Sequence, residues 1–548
     1  MKFLSKLLAP IAALSLLWAC QPEDEIPAQK DDEQCKSLTE LLAAYDAGKV
    51  FVSAAHNGSV CEISFSDGSK LSVPASDFEI EDCTASAPKQ VSTSGVYWSV
   101  GGTIKPIKVE PALPNSKAQV VYACFDTESL YLWLSNREQL TFLNLTSDLE
   151  RQQNLPVVKI VTEGGAAIVD KKNYVKGTIE ISDPEQLYSN ETVFKATMGI
   201  RGRGNSTWGW PKKPWKVKLD SKASVLGMPA DKEWCLLANY SDRTLMRNMV
   251  AMKLSEICGF SWTPRMRSVE VYLNGMYQGV YTFCEHKKVS SSRVNIDVVG
   301  ETVTSGDELT GDYYFEIEEQ QDETACWWTG MGVPMMFSEP EEPNSAQFDY
   351  AKKYFSDFEN ALKGSSFADP KKGYAAYIDV DSFINYYIVQ ELTKNVDGNL
   401  RKSSFLTKTR GGKLEMYHLW DFDLTLGNCG YLPVGNGPEG FWIKDYASNS
   451  TKGGGWYHRL FQDPAFVDKV QARWDELYPQ LEAVAQWIET QAEILDPAQK
   501  RNFSKWSIWD SVDWVKFPSR GSYEAEVDYL LDFYTKRLKW LDTELHKL

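Results

Sequence analysis

The sequence predicts an α+β protein in two parts: a small, mostly-β N-terminal module and a larger body with two lobes. Three observations predict it. Residues 35–150 carry short alternating runs broken by turn signals, strand patterns open the region from residue 155, and helical periodicity takes over from about Asp349. Strands followed by helices, instead of alternating with them, are the pattern of an α+β body. With 43% apolar and 13% aromatic residues in 548, the chain can bury large cores and is not a disordered polypeptide.

The chain opens with MKFLSKLLAPIAALSLLWAC, in which Lys2 and Lys6 precede an apolar run from Leu7 to Ala19. That run is too short for a membrane-spanning helix and reads as a signal peptide, residues 1–19. Leu17-Trp18-Ala19-Cys20 resembles the bacterial lipobox, in which the cysteine is acylated, with Trp18 where a small residue is usual. Residues 20–34 are polar and acidic and predict a solvated tether. Acidic residues directly after a lipid-bearing cysteine resemble the surface-export signal of Bacteroidetes lipoproteins. The implied location is the outer membrane, with a lipid anchor in the bilayer and the body exposed at the surface.

In residues 35–150, Val60 to Phe65 and Lys70 to Val73 flank Asp67-Gly68, a hairpin signal, and Gly95 to Val100 is followed by Gly101-Gly102. ISFSDGSKLSVP followed by GVYWSVGG resembles an N-terminal module of Bacteroidetes surface lipoproteins, and it contains no catalytic constellation. The body, residues 155–548, begins with strand runs Val157 to Val161, Tyr174 to Ile181, Ala196 to Ile200 and Trp215 to Leu219. A helix is expected over SDRTLMRNMVAMKLSEIC, capped by Ser241 or Asp242 and stopped by Gly259. Asn274-Gly275 between apolar runs predicts a hairpin with a type I′ turn. Helices are expected from Asp381 to Lys394 and from Tyr523 to Leu545. Cys61 with Cys83, or Cys235 with Cys258, are candidate disulfides of an exported chain, and no CxxC or His-rich spacing suggests zinc.

The net charge of -17 argues against a nucleic-acid partner. It conceals a local exception, because residues 195–293 hold 17 Lys and Arg against 7 Asp and Glu. The most basic stretch is RGRGNSTWGWPKKPWKVKLD, with Arg201, Arg203, Lys212, Lys213, Lys216 and Lys218 around Gly202 and Gly204. Glycines that admit close backbone approach, together with cations, suit phosphate oxygens. Arg243 and Arg247, at i and i+4 on the expected helix, extend the anionic-ligand candidate. A second constellation lies in ELTKNVDGNLRKSSFLTKTRGGKLEMYHLWDFDLTLGN, where Asp397 sits in a loop, Gly411-Gly412 turns a hairpin, and Asp421-Phe422-Asp423 follows. Phosphoryl transfer needs one carboxylate for the hydroxyl proton and another to hold Mg²⁺ on the phosphates, and this is the order in which protein kinases place them.

Taken together, RGRGNSTW, KKPWKVKL, LLANYSDRTLMRN, NGMYQGVYTFCEHKK, ELTKNVDG and WDFDLTLGN resemble the CotH family of secreted, atypical kinase-like proteins. The resemblance covers about residues 155 to 545. It implies a two-lobed protein-kinase-like fold that binds ATP with Mg²⁺ or Mn²⁺ and phosphorylates Ser or Thr of proteins. Position by position, it makes Asp397 the catalytic-loop Asp and Asp421 the metal-binding Asp, with Asp423 as a second ligand. Lys218 becomes the phosphate-pairing lysine, with Lys213 or Lys216 as alternatives, and Arg201, Arg203 and Asn205 line the phosphate end. Arg247 and Glu285 fall in matching motifs without an assigned role. Lys402 stands five positions after Asp397, where protein kinases carry Asn, and Asn399 is out of register. Asp423 then substitutes for the missing ligand, or the protein binds nucleotide without efficient transfer. A competing expectation is a degenerate scaffold that binds glycan or host matrix through Trp208, Trp210, Trp215, Trp327, Trp328, Trp442 and Trp456. Hydrolysis by a carboxylate pair such as Asp421 with Asp423 or Asp397 ranks last, because it gives no reason for the clustered cations.

Overall fold

A computed structural model describes residues 36–47, 49, 51–65, 67–82, 154–321, 325–430, 437–445, 455–509 and 518–548, with six strand segments between 89 and 143. The expected signal peptide, the tether with Cys20, and Cys83 lie outside the described residues. No helix among the described residues is long and apolar enough to cross a membrane.

The N-terminal module is not built of strands alone. Helix Lys36–Asp46 precedes an antiparallel sheet of Phe51–Asn57, Val60–Phe65 and Lys70–Pro74. Leu38 and Leu41 of this helix are buried in one core with Phe51, Ile63, Leu130 and Leu132. The expected pairing around Gly101-Gly102 is present, as Val96–Val100 pairs antiparallel with Thr103–Ile107.

The body opens with seven strands that close into a barrel: β1 (Val157–Thr162), β2 (Val175–Ser182), β3 (Val193–Gly202), β4 (Trp215–Val225), β5 (Met228–Leu237), β6 (Met266–Leu273) and β7 (Met276–Glu285). Neighbours run antiparallel around the order β1-β2-β3-β4-β5-β7-β6, and β6 closes the barrel by pairing parallel with β1. The turn between β6 and β7 is the predicted type I′, with Asn274 at φ 52° and Gly275 at φ 80°. Strand alternation then sorts the side chains. Trp215, Val217 and Leu219 of β4 join Trp234 and Leu236 of β5 and Tyr281 and Phe283 of β7 inside the barrel. Lys216 and Lys218 of β4 and Glu233 and Cys235 of β5 therefore share the outer wall.

After β5 the chain does not enter a helix at Ser241. Helix α1 spans Arg247–Cys258, and residues 241–246 form turns, with Leu245 at φ 60°. The reason is tertiary: the Asp242 carboxylate accepts from the N–H of Thr244 and Arg247 as a cap would, yet the intervening chain folds onto a distant loop. The predicted stop is present, since Gly259 is left-handed at φ 71° and its N–H donates to the Ser255 carbonyl. A five-stranded sheet follows, β8 (Tyr313–Ile317), β9 (Cys326–Trp328), β10 (Pro334–Glu339), β11 (Ser404–Lys408) and β12 (Leu414–His418), ordered β9-β10-β8-β11-β12. Helices α2 (Ser345–Lys363), α3 (Val380–Thr393), α4 (Gly455–Leu460), α5 (Pro464–Lys505) and α6 (Tyr523–Leu545) share a second core with this sheet and with Cys235, Val280 and Cys284 of the barrel's outer wall. Two buried ties fasten α5 to the barrel: Arg501 binds Glu270 of β6 at 2.6 Å, and Asn502 accepts from Lys212 at 2.8 Å.

No disulfide joins Cys235 to Cys258, since both are free thiols, and the residue facing Cys235 across the strands is Cys284. Cys61 is likewise a free thiol.

Candidate active site

The acidic part of the site is built on strained backbone. Helix α3 ends at Lys394 in the left-handed region, and Asn395 Oδ1 then accepts the Asp397 N–H at 3.1 Å, turning the Asp397 loop. Gly398 is required there, because a Cβ would come within 1.9 Å of Gln390 Oε1. Of ten non-glycine residues at positive φ among the described residues, seven fall in just two stretches. Asn239 and Leu245 lie in one, and Lys394, Leu400, Ser403, Asp421 and Leu426 lie in the other. Such strain concentrates where tertiary contacts hold a loop for function.

Those contacts are made between the two stretches. Phe422 is buried and its N–H donates to Asn248 Oδ1 at 2.7 Å, while Ser241 Oγ donates to Asp423 Oδ2 at 3.2 Å. Asn428 Nδ2 donates to the carbonyls of Asp423 and Ser241, and Arg247 Nε donates to the Thr425 carbonyl at 3.1 Å. The SDRTLMRN motif is thus a cradle for the DFDLTLGN motif. Arg247 is fully buried and bound to Asp242 at 2.5 Å, and Arg243 is buried on the Ile508 carbonyl, so both have protein partners. Glu285 is also buried, accepting from the Arg265 N–H at 2.9 Å and lying 3.6 Å from Arg293.

Asp397, Asp421 and Asp423 form one electrostatic group. Burial, then the charge of Asp421, raises the pKa of Asp397, and the same two causes push Asp423 well above the usual carboxylate range. Among the described residues no Lys or Arg lies within ion-pair distance of any of the three. Nor do three His, Cys, Asp or Glu side chains among those residues converge closely enough to enclose a metal ion by themselves. Lys402, the departure from the kinase pattern, pairs with Glu319 at 4.0 Å beside Arg401. Asn399 is buried with neither side-chain amide atom hydrogen-bonded.

The basic part of the site is more selective than its charge count. Lys216 Nζ binds Glu233 Oε2 at 2.8 Å with its side chain 12% exposed, whereas Lys218 is 51% exposed and 3.7 Å from the same carboxylate. Burial would raise Glu233, but the hydrogen bond and charge of Lys216 prevail and hold it down at about 2. Arg203 lies over the ring of Trp420, the residue before Asp421, at 5.6 Å from its centroid, and its charge reaches Cys235 and Cys284 on the barrel wall. This arginine therefore joins the basic turn to the acidic loop.

The other predicted residues are dispersed around that turn. Arg201 stacks on Tyr174 at 5.1 Å and donates to the Lys171 carbonyl. Lys213 donates to the Trp208 carbonyl at 2.8 Å, and Asn205 Nδ2 reaches Gln320 Oε1 at 3.3 Å. The glycines serve the turn itself, not a ligand's approach: a Cβ on Gly202 would strike the Trp208 ring at 2.5 Å, and one on Gly204 would strike Thr207 Oγ1 at 2.1 Å. His286, which no sequence motif singles out, lies 2.8 Å from Lys216 Nζ. Its position directly after the β7 hairpin was the only signal that placed it near the barrel wall.

Comparison with known families supplies the remaining fact. The family model described as CotH kinase protein matches residues 200–541, well over half of the chain. The chain belongs to the CotH kinase protein family. A search of curated proteins finds no match. The CotH match begins at the end of β3 and runs into α6, so it contains the basic turn, the cradle and all three aspartates. Strands β1 and β2 precede the matched interval, although they are two of the seven staves of the barrel.

Proposed function

We propose that this CotH family member binds ATP with Mg²⁺ or Mn²⁺ between the outer barrel wall and the aspartate loops, and transfers phosphate to Ser or Thr hydroxyls of a protein. The observation that carries the reading is Arg203 over the ring of Trp420, which brings a cation of the basic turn against the residue preceding Asp421, in a loop whose three carboxylates make no ion pair among the described residues. Carboxylate oxygens are hard donors, and Mg²⁺ usually takes only one or two of them and completes its shell with phosphate and water. Asp421, exposed, and Asp423, held by Ser241, fit that donor set. When bound, the metal neutralises charge on the phosphate oxygens.

Asp397 would accept the proton of the attacking hydroxyl, a task helped by the burial that raises its pKa. Lys216, fixed by Glu233, is better organised than the half-exposed Lys218 to pair with phosphate oxygens. Arg203 would neutralise the same charge from the other side. Lipidation at Cys20 and display at the outer membrane surface belong to the same proposal and rest on the sequence of residues 1–34. The alternative, glycan or matrix binding, has weaker support in the seven tryptophans: Trp215, Trp327, Trp442 and Trp456 are buried, and Trp328 alone of the seven is exposed.

The test is thermal unfolding with ATP and Mg²⁺ or Mn²⁺, followed by transfer of labelled phosphate to protein, on the parent, Asp421→Ala and Asp397→Asn. The expected result is a shift abolished in Asp421→Ala, with transfer lost but binding kept in Asp397→Asn. No shift in the parent refutes nucleotide binding, and binding without transfer makes the protein a nucleotide-binding scaffold.

A further inference from the structure

His286 follows β7 in the sequence Glu285-His286-Lys287-Lys288 and is drawn into the barrel wall. Lys216 Nζ has two acceptors there, Glu233 Oε2 at 2.8 Å and His286 Nε2 at 2.8 Å. An ammonium group only donates, so Nε2 must be the unprotonated nitrogen of a neutral imidazole. The proton then sits on Nδ1, which faces Cys235 Sγ at 3.6 Å. The buried Arg293 guanidinium fixes the backbone by donating to the His286 carbonyl at 2.7 Å. Two of the three Lys216 N–H groups are thereby committed and one is left over.

We propose that His286 is a positioning residue that, with Glu233, locks the Lys216 ammonium in the orientation in which its remaining N–H meets a phosphate oxygen of the nucleotide. The inference rests on the phosphotransfer reading above for its ligand, but the Lys216–His286 contact can be tested without it. The groups facing the imidazole are Lys216 from β4, Glu233 and Cys235 from β5, with Cys284 of β7 opposite Cys235 and Arg203 acting on both thiols from the basic turn. Burial lowers the pKa of His286, in keeping with a neutral ring at neutral pH. Protonation on acidification would remove the acceptor and set a like charge against Lys216.

The test compares the parent, His286→Leu, which cannot accept, and His286→Gln, whose amide oxygen accepts at every pH. One arm reads the rate at which an amine-selective acylating reagent modifies Lys216, by mass spectrometry. The other reads KM for ATP and kcat across mildly acidic to neutral pH. In His286→Leu, Lys216 should be modified several-fold faster and the KM for ATP should rise about tenfold with kcat changed less, the scale of one hydrogen bond to a charged group. His286→Gln should restore both values and flatten the acid rise in KM. Should His286→Leu fail to fold, the flattened KM profile and parent-like labelling of His286→Gln still decide the matter. Parent-like labelling and KM in His286→Leu, or a loss that His286→Gln does not rescue, would overturn the proposal. A parent that binds no ATP defeats the phosphotransfer reading instead, while the labelling arm still reports whether His286 holds Lys216.

Discussion

Replacing Arg247 by Met separates a residue that supports the site from one that touches its ligand. The Arg247 guanidinium is fully buried, as is its partner Asp242. Asp242 Oδ1 also accepts from the Thr244 N–H at 3.0 Å and its hydroxyl at 2.6 Å, and Oδ2 from the Arg247 N–H at 2.8 Å. Arg247→Met leaves that carboxylate with neutral donors only, and removing one partner of a buried ion pair costs about 3–5 kcal/mol. The lost bond from Arg247 Nε to the Thr425 carbonyl at 3.1 Å adds about 1 kcal/mol, since that carbonyl keeps the Asn428 N–H at 2.9 Å. Against a domain stability of about 5–15 kcal/mol, this is a large share. Urea unfolding followed by tryptophan fluorescence should show the midpoint fall at unchanged slope. In a cycle with Asp242→Asn the double variant should be more stable than the two single losses predict, because no unpaired charge remains buried. A loss below about 1 kcal/mol, or strict additivity, would refute the reasoning. Intact stability with lost ATP affinity would return Arg247 to the ligand.

The metal response should depend on pH. Asp397 and Asp423 are raised in the folded state, so their contribution to stability is present at low pH and is lost as pH rises through their folded values. Metal binding must displace those protons, so the thermal shift given by Mn²⁺ should grow from mildly acidic to neutral pH; a constant shift would contradict it. Lys216→Met should lower ATP affinity at least tenfold, an effect of about 1.4 kcal/mol or more. Lys218→Met should change it by less than about threefold, as expected of an exposed pair; the reverse ranking in nucleotide titrations would favour Lys218. Gly398→Ala forces a Cβ to 1.9 Å from Gln390 Oε1, and unfolding should show a loss of about 1–3 kcal/mol together with reduced phosphotransfer. A parent-like variant would show that the Asp397 loop yields freely.

Several elements were legible because a few adjacent residues decide them. Asn274-Gly275 tolerates the two positive φ angles of its turn, Gly259 ends α1 in the left-handed region, and the apolar spacing of Tyr523–Leu545 needs only one helix face. The aspartates of the candidate site were legible for a related reason, since Asp397 and Asp421-Phe422-Asp423 carry their loops with them. Helix α1 starts later than the sequence predicts because Ser241 and Asp242 look like caps, and nothing within a turn of Ser241 reveals that Asp423 and Asn428 are its partners.

What the sequence determined by itself was therefore the class of the body, its hairpins, three of its six described helices and the carboxylates of its candidate chemistry, all set by sterics and periodicity over short spans. The tertiary structure alone decided barrel closure, through Val157–Thr162 beside Met266–Leu273, and the sorting of the basic residues into buried struts such as Arg247 and cations on the outer barrel wall and basic turn such as Lys216 and Arg203. The physical reason is that a cation's role depends on which carboxylate, ring or carbonyl lies within a few ångströms. For Lys216, Arg203 and Arg247, partners such as His286, Trp420 and Thr425 are distant in sequence and are brought near only by the closed barrel and the cradle.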